Sequence, residues 1–264
     1  MDLSVIIVNY NTKELLKACV DSVQKTYPQS EIIVVDNLSS DGSREEIPKM
    51  PVKGVLLDEN AGFSKANNMG LKYATGDYVL FLNPDTVVHE NTLKRCIEFL
   101  QNNKNAGAVG CRVVLPDGSL DKACKRKFPN AFNSFCTIFK IAKIVPGLGY
   151  NVVGNDEGVY PVDCLVGAFM MCPKAVLEKT GGFDQDFFMY GEDIDLCLRI
   201  KQAGYEIWYL GDKEITHIKG ASGKKSKKAK IAFYDSMSIY YKKHFKKGIF
   251  TALVDVAVKV LKKI

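Results

Sequence analysis

Apolar residues in the first third of the chain alternate between unbroken runs and helically spaced stretches. Residues 3–8 (LSVIIV) and 31–35 (EIIVV) are continuous and rich in β-branched side chains, as strands covered on both faces are. Between them Leu15, Leu16, Cys19, Val20 and Val23 share one face of a predicted helix. Asn11 and Glu14 have capping-box spacing at its start, and Tyr27-Pro28 ends it. A short strand at 55–57, a helix over roughly 64–74 and a buried strand at 77–82 follow. A helix over about 91–102 and a strand at 108–115 complete the first half. Strand, helix, strand at this rhythm predicts βαβ units, an α/β fold and a mostly parallel sheet.

The pattern is weakest between 121 and 160. There Phe128, Phe132, Phe135, Phe139, Ile141, Ile144 and Val145 predict a short apolar helix or flap, broken at Pro146-Gly147. It sharpens again with a strand over 162–171 and a helix opened by Pro173, an early position that tolerates proline. A further helix runs from about 190 and ends at Gly204, strands follow at 205–209 and 214–217, and a last helix extends to about 245.

Right-handed crossovers place the loops after parallel strands on one edge of the sheet, where open α/β folds bind ligands. Asn9, Asp36, Asn60 and Asp85 all stand just past predicted strands. Asp85 follows an abrupt stop at Asn83-Pro84. Asn and Asp are common turn-formers, so one such residue says little, whereas four on one edge point to a shared crevice.

Composition narrows the class. With 264 residues, 47% of them hydrophobic, the chain can bury one core or two closely fused lobes. The net charge is +6, but 14 Lys against three acids lie from Lys213 onward, which leaves the first 212 residues mildly acidic. That asymmetry suggests an anionic partner for the C-terminal segment. Among the eight cysteines, Cys19, Cys96, Cys172 and Cys197 fall in apolar periodic segments and read as small hydrophobes. No C-x-x-C occurs, against a zinc-ribbon or thioredoxin reading. No secretory signal and no apolar run of membrane-spanning length is evident, so a cytoplasmic location is expected. At the C-terminal end Phe250, Leu253, Val254, Ala257, Val260, Leu261 and Ile264 share one helical arc, opposite Asp255, Lys259, Lys262 and Lys263. This basic amphipathic helix suits either the anionic inner face of the plasma membrane or docking on the protein's own core.

Six motifs in order, SVIIVNYNT (4–12), VVDNLSSDGS (34–43), ENAGFSKANNMG (59–70), FLNPDT (81–86), GGFD…GEDIDLCLR (181–199) and ITHIKGAS (215–222), resemble family-2 glycosyltransferases of the GT-A fold. Within that group they look most like the rhamnosyltransferase-type enzymes of bacterial surface-polysaccharide assembly. The resemblance covers about residues 1–245. It implies a Rossmann-like sheet flanked by helices, with a nucleotide-sugar-binding half (1–115), an acceptor-binding and catalytic half (116–245) and the basic tail (246–264).

The resemblance also implies site residues. Val8, Asn9 and Tyr10 would line the base, and Asp36 would accept the N3–H of uracil or thymine. Asn60, Gly62 and Lys65 match the segment beside base and diphosphate, although Lys65 also suits a solvated helix face. Asp85, with His217, would hold a divalent metal (Mn²⁺ or Mg²⁺). Asn83 stands where the family usually has the first acid of Asp-x-Asp, which removes one negative charge. Asp193 would be the general base, with Asp184 and Glu192 near the acceptor; acids at a helix start also favour its dipole. The implied reaction is inverting transfer from a nucleoside diphosphate-sugar, dTDP-L-rhamnose first, to a glycan or lipid-linked glycan. UDP-hexose, UDP-N-acetylhexosamine and UDP-galactofuranose donors are alternatives, and a non-catalytic sugar-binding subunit is the rival of another class. A sugar-1-phosphate nucleotidyltransferase would need a Gly-rich basic loop after the first strand, and a nucleic-acid binder would need aromatics among the lysines. Both are disfavoured.

Overall fold

The first apolar runs form β1 (Leu3–Asn9) and β2 (Glu31–Asp36), joined by α1 (Lys13–Thr26). The computed structural model describes residues 2–138, 141–145, 147–152, 154–218 and 227–245. The expected basic tail at 246–264 and most of the Lys-rich stretch 219–230, expected as a loop, lie outside the described residues. After α2 (Ser43–Glu46) come β3 (Lys53–Leu56), α3 (Phe63–Leu71), β4 (Tyr78–Leu82), β5 (Thr86–Val88), α4 (Thr92–Asn102) and β6 (Ala106–Val114). The second part contains β7 (Lys125–Arg126), α5 (Ala131–Ile138), α6 (Ile141–Ile144), β8 (Val159–Val162), β9 (Cys164–Leu165) and β10 (Phe169–Pro173). It ends with α7 (Lys174–Thr180), α8 (Glu192–Gln202), β11 (Glu206–His217) and α9 (Lys227–His244).

Nine strands build the main sheet in the order β3-β2-β1-β4-β10-β6-β11-β5, with β8 paired to β11; β7 and β9 form a separate ribbon. The first four strands are parallel, as the βαβ rhythm predicts. Strand β10 then enters antiparallel beside β4, with Phe169 opposite Leu82, so the sheet continues as a mixed one. All seven residues of β1 are buried, since β2 and β4 flank it and α3 packs across it. Helix and strand approach closely there: a Cβ on Gly70 would lie 2.6 Å from Ile6 Cγ2. One apolar core runs from Leu3 to Ile215, and Phe187, Tyr240 and Tyr241 make a smaller cluster where α9 docks. All eight cysteines are free and buried.

Three local expectations change. Asn11 does not cap α1: it adopts φ 54° and its side chain accepts the Ser40 N–H at 2.7 Å, fastening the loop after β2, while Thr12 occupies the cap position. The single strand expected over 162–171 is broken into β8, β9 and β10. The two expected strands at 205–209 and 214–217 are instead one, β11, with a register irregularity between Leu210 and Glu214.

Candidate active site

Three clusters stand at the edge formed by the C-terminal ends of the parallel strands. The first is a polar floor. Asn9 donates to the Asp36 carboxylate at 2.9 Å and to Ser39 Oγ at 3.0 Å, and accepts from Thr12 Oγ1 at 2.7 Å. Asp36 also receives the Ser39 N–H at 3.0 Å and the Arg44 guanidinium at 3.1 Å, and it is fully enclosed. Val8 is buried beneath, whereas Tyr10 is exposed and able to offer a ring face. Asn37 bridges to the next loop, donating to Asn60 Oδ1 at 3.0 Å and accepting the Ala61 N–H at 2.8 Å. Gly62 sits at φ 82°, and a Cβ there would lie 2.6 Å from Phe188, whose carbonyl accepts the Phe63 N–H. Glycine is needed at that crossing on both counts. Lys65 is exposed and paired with Glu59 at 3.0 Å.

The second cluster surrounds Asp85. A tight turn follows β4, with Thr86 Oγ1 donating to the Asn83 carbonyl at 2.7 Å, so Asp85 is carried inward. Strand β11 pairs antiparallel with β5, placing His217 opposite Thr86. His217 Nε2 lies 3.2 Å from Asp85 and its Nδ1 3.7 Å from Asp121, and all three residues are buried. Burial works against a charged ring, but the Asp121 and Asp85 carboxylates outweigh it and push His217 up to about 9. The two carboxylates concentrate negative charge that attracts a cation, and His217 must give up its proton to act as a ligand. Asp85 oxygen is the donor type that Mn²⁺ or Mg²⁺ takes, with phosphate oxygens and water completing the shell, and a neutral His217 nitrogen suits Mn²⁺ better than Mg²⁺. Among the described residues no group of three or more His, Cys, Asp and Glu is arranged as a metal site.

The third cluster lies at the start of α8. Asp193 Oδ2 receives Arg126 Nη2 at 2.6 Å and the Gly167 N–H at 2.9 Å, while Oδ1 receives the Ile194 N–H at 2.8 Å. Burial opposes the charge on Arg126, but Asp193 beside it prevails and the guanidinium is held above its ordinary range. Glu192 is buried with Oε2 making no hydrogen bond among the described residues. Its carboxyl is pushed up to about 8, by burial first and then by the neighbouring Asp193. Asp195 points elsewhere: fully buried, it takes Arg199 at 2.7 Å and His244 at 2.6 Å and so fastens α9. Asp184 is engaged by Lys243 from the same helix. The Ala168 carbonyl accepts the Asn83 N–H at 3.0 Å, which sets the Asp193 cluster beside the Asp85 turn.

This order of motifs is decisive when set against known proteins. The model of "Glycosyl transferase family 2" matches residues 4–181. The chain belongs to glycosyltransferase family 2. It is a glycosyltransferase of GT-A fold. A second model, "N-terminal domain of galactosyltransferase", matches residues 153–221, the stretch that carries β10, Asp193 and His217. The chain is 29% identical over 216 residues to rhamnosyltransferase WbbL of Escherichia coli (strain K12), covering 78% of this chain and 79% of that one. It is 24% identical over 248 residues to the N-acetylglucosaminyl-diphospho-decaprenol L-rhamnosyltransferase of Mycobacterium tuberculosis (strain ATCC 25618 / H37Rv), covering 83% and 77%. Among solved structures, mannosyltransferase PcManGT from Pyrobaculum calidifontis, in complex with GDP-Man and Mn²⁺, superposes with a TM-score of 0.64 at 19% identity, covering 99% of this chain and 72% of that one.

Family membership directs attention to the same edge, where the structure gathers Asn9, Asp36 and Asn60, then Asp85 with His217, then Glu192 with Asp193. Asp121, Arg126, Arg44 and Gly167 also stand there without having been singled out from the sequence. Asp121 and Arg126 come from the stretch with the weakest periodicity, and each meets a partner far along the chain; no local pattern marks them. Among the described residues no helix is long and apolar enough to cross a membrane.

Proposed function

We propose that this glycosyltransferase is an inverting one, moving a sugar, L-rhamnose from dTDP-L-rhamnose first, to a glycan or lipid-linked glycan acceptor in surface-polysaccharide synthesis. One observation carries the reading: a polar floor, a cation-favouring acid–histidine pair and a buried, clamped carboxylate share one sheet edge. Residues 1–115 supply the donor side and 116–245 the acceptor side.

Val8, Asn9 and Tyr10 border the base, and Asp36 sets the polarity of the floor. Since Asp36 is fully enclosed by Asn9, Ser39 and Arg44, a base N3–H reaches it when one of those contacts yields. Asp85 and His217 would hold a divalent metal, which supplies Lewis-acid neutralisation of the diphosphate. Asp193 takes the acceptor O–H proton on Oδ1, the oxygen with lone-pair capacity left. The acceptor oxygen attacks the anomeric carbon from the face opposite the diphosphate, the bond from that carbon to the diphosphate oxygen breaks, and the nucleoside diphosphate departs. No covalent enzyme intermediate is required.

The rhamnose assignment draws support from the two rhamnosyltransferases to which the chain is similar, and the lipid-linked acceptor from the decaprenol-linked substrate in the name of the mycobacterial one. The test is thermal stabilisation by a panel of UDP-, GDP- and dTDP-sugars with and without Mn²⁺. The expected pattern is the largest shift for dTDP-L-rhamnose, enhanced by Mn²⁺ in the native chain and not in Asp85→Asn. Stabilisation by GDP-sugars alone would remove the base-reading role of Asp36, and a metal effect that survives Asp85→Asn would remove Asp85 as a ligand.

A further inference from the structure

We propose that Arg126 is a positioning residue for Asp193: it pins one carboxylate oxygen so that the other is presented to the acceptor hydroxyl. The proposal rests on Asp193 being the general base.

The geometry is specific. Strand β7 pairs antiparallel with β9, Arg126 opposite Cys164, which carries the arginine across the ribbon toward the start of α8. Its Nη2 donates both to the Leu165 carbonyl, at 2.5 Å, and to Asp193 Oδ2, at 2.6 Å. The Gly167 N–H, on the loop that leads into β10, donates to the same oxygen at 2.9 Å. Two donors on Oδ2 use its in-plane lone pairs, whereas Oδ1 has accepted one N–H, from Ile194. The carboxylate is therefore fixed at both ends of its plane with one lone-pair direction open.

A planar guanidinium suits this task better than an ammonium, because one nitrogen is held against a backbone carbonyl while it grips the carboxylate. The charged and titratable groups around the pair are Glu192 and Asp195 from α8, and the buried Cys164 and Cys197 thiols from β9 and α8. Beyond Cys164 lies Lys201, which is paired with Asp163 at 3.2 Å. Removing the guanidinium would leave Asp193 buried beside another acid, a setting in which a carboxyl holds its proton to higher pH.

The experiment compares native chain, Arg126→Lys, Arg126→Met, Asp193→Asn and the Met/Asn double variant. Release of dTDP from dTDP-L-rhamnose is measured with Mn²⁺ and a synthetic alkyl-diphospho-N-acetylglucosamine acceptor, from pH 5 to 9. Expected for Arg126→Met are a fall in kcat of about 100-fold, the scale of a misplaced catalytic group, and an acid limb of the kcat profile moved up by about one pH unit or more. Donor KM and thermal stabilisation by dTDP should stay within about two-fold of native, since the hydrogen bonds of the pair run to each other and to Leu165, Gly167 and Ile194 on the acceptor side. Arg126→Lys, which keeps the charge, should leave the acid limb near native while kcat still drops by about ten-fold. In the Asp193→Asn background, Arg126→Met should cause no further loss, because residues that act as a unit are not additive. An acid limb that does not move, or a loss that compounds in the double variant, would overturn the positioning role while leaving Asp193 as base. Full activity in Asp193→Asn would overturn both.

Discussion

Glu192 is a buried acid whose presence should weaken the fold near neutral pH, and the effect can be isolated by Glu192→Gln. Its carboxyl is raised from an ordinary 4.5 to about 8, by burial and then by Asp193. A group with a raised folded-state value contributes its full share of stability below 4.5 and loses it as pH climbs toward 8, since the unfolded chain ionises freely while the folded chain holds the proton. One proton gives a slope of about 1.4 kcal/mol per pH unit, so the loss reaches about 3 kcal/mol at pH 7. Glutamine keeps the shape and cannot ionise. Urea midpoints for native and Glu192→Gln protein at pH 5, 6, 7 and 8 should therefore diverge, with the variant gaining on the native chain at each step and the gap levelling above pH 8. Two stability curves that stay parallel across that range would refute the account, because they would mean that Glu192 ionises in the fold as it does in water.

Two further predictions bear on what holds the site in place. Asp195→Ala would remove the buried carboxylate shared by the partly exposed Arg199 and His244, a loss of about 1–3 kcal/mol. Limited proteolysis within α9 and the urea midpoint should both report it, and an unchanged proteolysis rate would show that the helix docks without Asp195. Gly62→Ala places a methyl 2.6 Å from Phe188 at φ 82°, which should destabilise by about 1–3 kcal/mol. It should also weaken dTDP binding measured by calorimetry, because Gly62 and Asn60 share the loop proposed to border the donor. Native affinity would mean that this loop does not touch the nucleotide.

Much of the first half was legible from residue order alone. Runs of buried β-branched residues with amphipathic spacers dictate strands and helices locally, and the handedness of crossovers then sends Asn9, Asp36, Asn60 and Asp85 to one edge. The position of Asp85 past a strand followed from the same pattern, whereas Asp193 and His217 were singled out only through the family resemblance of the motifs at 181–199 and 215–222; residue order alone left them a helix-start acid and a lone strand histidine. Pairing partners are a different matter. Apolar periodicity reports that a strand is covered, not which strand lies beside it, so nothing local announces that β10 inserts antiparallel between β4 and β6. Charge behaves alike: Arg126 and Asp193 are 67 positions apart, and only the β7–β9 ribbon brings them within a hydrogen bond. Asp121 reaches His217 by the same kind of closure. Residue order thus determined the elements and the edge on which chemistry gathers, whereas the tertiary structure decided which charges face one another there, because burial and electrostatic pairing depend on distances that the chain acquires only on folding.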